Sequence, residues 1–179
     1  GIPTINGKPD ESLADVVFGD SSTNIQTLEA NIMRAQLTQK MSETKKLNFS
    51  MTSSSFEKMY QNLYASGYDG TLVTMDGYRD PTERDNFIVS GNLVNELSLG
   101  NMIHTLLIGA EFIDTENKNL RYDAFWSSTS DDNEVFNITR PMDFSVSSAG
   151  VATGVDFATA LNRQTESDSI ICSFYIQDQ

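Results

Sequence analysis

The chain has 179 residues, with 39% apolar and 21% charged side chains, which excludes wholesale disorder and leaves room for one domain with a real core. Twenty-five acidic residues against twelve basic ones give a formal net charge of -13, a surface that repels phosphate backbones, so no nucleic-acid partner is expected. The single cysteine, Cys172, excludes an intrachain disulfide; it lacks Cys or His neighbours at metal-ligand spacing and reads as a small packed apolar residue.

The opening, "GIPTINGKPD", has neither the basic nor the apolar region of a secretion signal. In "DESLADVVFG", Asp10 is placed to cap a short helix and Gly19 to stop it. The first strand is expected over about 25–41. Its apolar phase shifts from Leu28, Ala30 and Ile32 to Met33, Ala35 and Leu37, as at a bulge, and an amphipathic helix is the alternative there. The second strand, about 46–59, alternates Leu47, Phe49 and Met51 with Asn48, Ser50 and Thr52. Residues 60–83 read as a long loop. The third strand, about 84–99, carries Phe87, Val89, Gly91, Leu93, Leu97 and Leu99 on one face, with Ser90, Asn92, Glu96 and Ser98 opposite. The fourth, about 102–114, sets Leu106, Ile108, Ala110 and Phe112 against Thr105, Gly109 and Glu111. A second long loop, about 115–168, includes "VDFATALNRQ", where Asp156 is placed to cap another short helix. The fifth strand closes the chain, with Ile170, Cys172, Phe174 and Ile176 opposing Ser173, Tyr175 and Gln177.

The connections carry as much information as the strands. Strands one and two join through "SETKK", and three and four through "GNM", whereas the remaining links are long. A soluble sandwich has no reason to alternate short and long links. An up-and-down transmembrane β-barrel does, with tight turns on one side of the membrane and long loops on the other. No apolar run reaches the roughly eighteen residues of a membrane helix, and a β-barrel does not need one. The predicted fold class is therefore all-β, an antiparallel meander of about five strands of a transmembrane barrel, with long extracellular loops that have room for short helices.

Catalytic constellations are missing from the sequence. His104 is the one histidine and reads as a turn or interface residue, and no G-x-S-x-G nucleophile elbow accompanies it. Asp131, Asp132 and Glu134 lack the glycine and distal Glu of a calcium loop and read as a solvated loop. Neither a phosphate-binding glycine loop nor a zinc pattern occurs. Neither enzymatic activity nor a cofactor or resident metal is expected.

The ordered series "GIPTINGKPD…VVFGD…TN", "YQNLYASGYDGT", "IHTLLIGAEF", "LRYDAFW" and "FYIQDQ" resembles the barrel of TonB-dependent outer-membrane siderophore receptors, in the subgroup that imports ferric catecholates and hydroxamates. The resemblance covers almost the whole chain and is weakest over 127–168. It implies a place in the outer membrane of a Gram-negative bacterium, in a 22-stranded barrel filled by an N-terminal plug. It further implies a ferric siderophore as ligand, outer-membrane lipid around the barrel, and the TonB complex as the partner that drives import through the plug. Plug, TonB box and signal peptide do not occur in these residues, so the chain is expected to be an internal fragment, running from one extracellular loop into a later strand. Ferric siderophores are bulky and often anionic, and aromatic faces and guanidinium groups suit them. The loop candidates are Tyr60, Tyr64, Tyr68, Tyr78, Arg79, Arg84, Arg121, Tyr122, Trp126 and Arg140. The alternative is a soluble, β-rich small-ligand-binding module without catalysis.

Overall fold

The structure, a computed structural model, describes residues 3–179. It is all-β, and no α-helix occurs among the described residues. Two two-residue strands, β1 (Thr4–Ile5) and β2 (Lys8–Pro9), form a small antiparallel pair. Six further strands form one antiparallel sheet: β3 (Ile25–Lys40), β4 (Lys45–Tyr68), β5 (Leu72–Leu99), β6 (Met102–Trp126), β7 (Glu134–Asn137) and β8 (Val155–Asp178). The order across the sheet is β3-β4-β5-β6-β8, and β7 pairs separately with β5, Val73 opposite Phe136 and Met75 opposite Glu134. The expected neighbours, strand one with two and three with four, are thus paired. The sheet does not close into a barrel.

Three expectations are corrected. Residues 60–83 are not a long loop: β4 runs to Tyr68 and β5 begins at Leu72. The reversal is made by Asp69, Gly70 and Thr71. Asp69 accepts the backbone N–H groups of Thr71 (2.8 Å) and Leu72 (2.7 Å), and Gly70 takes a φ of +101°, a left-handed conformation that glycine adopts without strain. The second loop shrinks likewise, since β6 continues to Trp126 and β8 already starts at Val155. Neither expected helix forms as such. Asp10 does cap, accepting from the Ser12 N–H at 3.0 Å, but the helix it starts is one 3-10 turn, Glu11–Leu13. Asp156 accepts from the Ala158 N–H (3.1 Å) and the Thr159 hydroxyl (2.6 Å), yet the chain proceeds as strand, because pairing with β6 outweighs one local cap. The segment 25–41 is strand, so its helical alternative falls as well.

The chain divides into two compact units. The first holds the described residues up to Leu28, with Lys58–Thr82 and Asn119–Thr165, and contains the buried core. Leu13, Val16 and Phe18 from the amino-terminal segment pack with Leu63, Val73, Met75, Ala124, Trp126, Phe136 and Phe157. Trp126 and Phe136 stack at 5.1 Å between centroids, and Phe144 meets Phe136 edge-on at 5.4 Å. Gly77 makes room for this core: a Cβ there would lie 2.8 Å from both the Asn62 carbonyl and the Phe157 ring.

The second unit, Glu29–Glu57, Glu83–Lys118 and Glu166–Gln179, buries none of its large apolar side chains. Asn48 donates to Asn92 (2.8 Å), the Ser50 and Ser90 hydroxyls pair (2.8 Å), Asn86 contacts Ser54 and Thr115 (3.2 Å each), and Arg84 donates to Asn117 (3.2 Å). Because side chains alternate along a strand, this polar ladder assigns Leu47, Phe49 and Met51 to the opposite face with Leu93, Leu97, Ile108 and Phe112. On β8, Phe174 is 85% exposed and Ile176 71%. One face of this unit is therefore hydrogen-bonded and polar, and the other is apolar and open.

Candidate functional site

Residues spaced by two along neighbouring strands of the first unit converge on one face. Tyr60 and Tyr64 come from β4, Asp76, Tyr78 and Asp80 from β5, and Arg121 from β6. The Tyr78 ring lies 5.8 Å from that of Tyr60 and 6.0 Å from that of Tyr64, the latter edge-on. The Arg121 guanidinium sits over the Tyr78 ring, 4.4 Å from its centroid. Its Nε and Nη2 donate to the two carboxylate oxygens of Asp80 at 2.8 and 2.7 Å, a bidentate fork. Tyr64 donates its hydroxyl to Asp76 at 3.0 Å.

The electrostatics follow from this packing. Burial, then the hydrogen bond to Asp76 and its charge, push the Tyr64 phenol up to about 12. Tyr78 is also raised, by burial first and by Tyr60 and Asp80 next, with Arg121 opposing. The hydrogen bonds to Asp80 hold Arg121 more firmly protonated. The result is an aromatic platform with a fixed cation on one ring, suited to holding a flat or bulky ligand by stacking and hydrogen bonds.

The other expected residues are placed differently. Tyr68, at the end of β4, donates its hydroxyl to Asp10 at 3.1 Å and so ties down the amino-terminal segment. Tyr122 follows Arg121 directly on β6 and points to the opposite face. Arg79 lies on the face of β5 opposite Tyr78, its Nε buried without a partner among the described residues. Arg84 belongs to the polar ladder of the second unit. Trp126 is 0% exposed and serves the core. Arg140 donates from Nη1 to Asp15 (2.9 Å) and from Nη2 to the Ser12 carbonyl (2.7 Å), holding two segments of the first unit together. Tyr60, Tyr64, Tyr78 and Arg121 are thus the four that the fold brings together, and they stand on strands rather than in loops. The carboxylates Asp76 and Asp80 escaped the sequence reading. Their spacing from Tyr78 in "DGYRD" exposes them once that stretch is read as strand.

Asp131, Asp132 and Glu134 serve local bonds. Asp131 accepts the Asp132 N–H, Asp132 accepts from the Asn133 amide, and buried Glu134 takes the Ser128 hydroxyl. Among the described residues no group of three or more His, Cys, Asp or Glu side chains is arranged to hold a metal ion. His104 contacts Asp178 at 2.9 Å through Nδ1. No family model matches the chain, and no curated protein sequence matches it.

Proposed function

We propose that the chain is part of the transmembrane barrel of an outer-membrane, TonB-dependent receptor that binds a ferric siderophore and imports it. The observation that carries this reading is the two-faced sheet of the second unit, with a hydrogen-bonded polar face and an apolar face on which nothing packs. In water such a face costs about 25 cal/mol for each Å² left exposed, whereas lipid accepts it without penalty. The apolar stretches also have the right length and flanks. On β5, β6 and β8 they cover about 87–99, 104–112 and 170–176, lengths that bracket the nine to eleven residues of a tilted membrane strand. Each is bounded by carboxylates, Glu83 and Asp85, Glu116, and Glu166 and Asp168, which line one open depression of the same unit.

Strands of 24 to 28 residues exceed what a bilayer needs, so the rest of each strand stands in water. The first unit, with its own core and the tyrosine patch, supplies the ligand-facing surface. Strands β3 and β8 each have one neighbour in the sheet, and open edges do not persist in lipid, so further strands complete the barrel. A plug and the TonB complex supply the driving force. A soluble ligand-binding module, expected as a small closed barrel, is disfavoured because the sheet does not close.

The test is a growth assay with the natural full-length protein in an iron-starved host lacking such receptors. Deleting residues 127–154, and joining β6 to β8 by a short turn, should abolish siderophore-dependent growth while the protein still reaches the outer membrane. Undiminished uptake would remove this segment from the ligand path. Failure to import any ferric complex would end the receptor reading.

A further inference from the structure

Resting on the receptor reading, the charge balance of the tyrosine patch selects among ferric chelates. We infer that the patch takes a chelate of zero or positive net charge and rejects a polyanionic one. Iron(III) held by three hydroxamates is neutral, whereas iron(III) held by three catecholates carries three negative charges, so the two chemistries separate on charge alone.

The cation of the patch is already committed. Arg121 has two N–H groups on Asp80 and its flat face on Tyr78. Turning it toward an anionic ligand would break the bidentate pair and leave Asp80 unpaired. The surrounding charge is negative. Asp76 is hydrogen-bonded to Tyr64, and Asp123, two residues beyond Arg121 on the same strand, accepts from Asn162. Asp132 lies within electrostatic reach of both, and its carboxyl is raised by burial first and then by Asp76, Asp131 and Asp123. Asp76, Asp80, Asp123 and Asp132 therefore face a trianion and outnumber the cations that offset them, Arg121 and the exposed Lys58, which lies two residues before Tyr60 on the same face of β4. The rings of Tyr60 and Tyr64, not held under a guanidinium, offer stacking surface to a neutral chelate.

The experiment measures the affinity of the purified natural full-length protein, in detergent, for two probes: a neutral ferric trihydroxamate and the trianionic ferric complex of a tris-catecholate. The neutral probe should bind at least about tenfold more tightly at low ionic strength, and the gap should narrow in high salt as repulsion is screened. The double substitution Asp123→Asn and Asp132→Asn should tighten trianion binding by about tenfold and leave the neutral probe within about twofold. Should the double variant fail to assemble, the salt comparison on the unmodified protein still decides. Equal or tighter binding of the trianion at low salt overturns the charge inference and leaves the receptor reading standing. A gap unchanged by the double substitution also overturns it. Binding of neither probe overturns both.

Discussion

At Tyr64 the fold raises a phenol well above its ordinary value. Its phenol is raised from an ordinary value near 10 to about 12 by burial and by Asp76, so the fold favours the protonated form. The sign follows directly. The stabilising contribution is fully present below pH 10 and is lost as pH rises from there through about 12. Unfolding followed against pH should therefore show an alkaline loss of stability that Tyr64→Phe diminishes, and ultraviolet titration should show that this variant removes a late-ionising tyrosine while that of Tyr78 stays. Identical alkaline profiles for the two proteins would contradict the assignment. Gly109 makes a second residue-scale claim. A Cβ there would collide with the hydroxyl end of the Tyr175 ring. Gly109→Ala should cost about 1–3 kcal/mol, and Tyr175→Ala in the same molecule should recover much of it. Additive losses in the double mutant would show that the two side chains do not meet.

At the scale of elements, the strand segments of the second unit were legible because their alternation is strong. The expected 25–41, 84–99 and 102–114 match the observed starts at Ile25 and Met102 and the observed end at Leu99. What was not legible is where the strands go once the alternation stops. Beyond Glu57 on β4 and before Glu83 on β5, tyrosines stand on one face and Gln61, Gly67, Gly77 and Arg79 interrupt the apolar residues of the other, so the period of two is diluted. The Asp69-Gly70 pair was the available signal, since Asp-Gly between two strands is a strong hairpin cue; reading it would have turned a long loop into a tight reversal. The site suffered from the same gap. Its tyrosines and Arg121 were picked by chemistry alone, and Asp76 and Asp80 became visible once "MDGYRD" was known to alternate. The core of the first unit gives this scale its prediction. Phe136 on β7 is fully buried between Trp126 and Phe144. Phe136→Ala should cost about 3–5 kcal/mol of that unit's stability, read by proteolysis of the 127–154 segment. Unchanged protease resistance would mean that β7 is not what anchors the segment.

For the whole molecule, the receptor proposal sets the exposed apolar face against lipid. Leu93 lies on that face of β5, with the Gly91 side toward Phe49. Leu93→Arg should destabilise the barrel by about 2–4 kcal/mol if this position is near the bilayer midplane, measured by denaturant unfolding in lipid vesicles. The neighbouring polar position, Asn92→Arg, should cost less, since its side chain joins the hydrogen-bonded face. A common medium on both faces would make the two substitutions equivalent.

The most direct test of the central claim is nitroxide accessibility along β5 in the natural full-length protein, in a cysteine-free background and in a lipid membrane. Labels at Val89, Leu93 and Leu97 should collide with dissolved oxygen and be shielded from a water-soluble paramagnetic agent, while labels at Ser90 and Asn92 should show much less exposure to lipid. A regular alternation with a period of two is the predicted result. Equal accessibility of every position to the water-soluble agent would contradict the membrane barrel and, with it, the receptor function built on it.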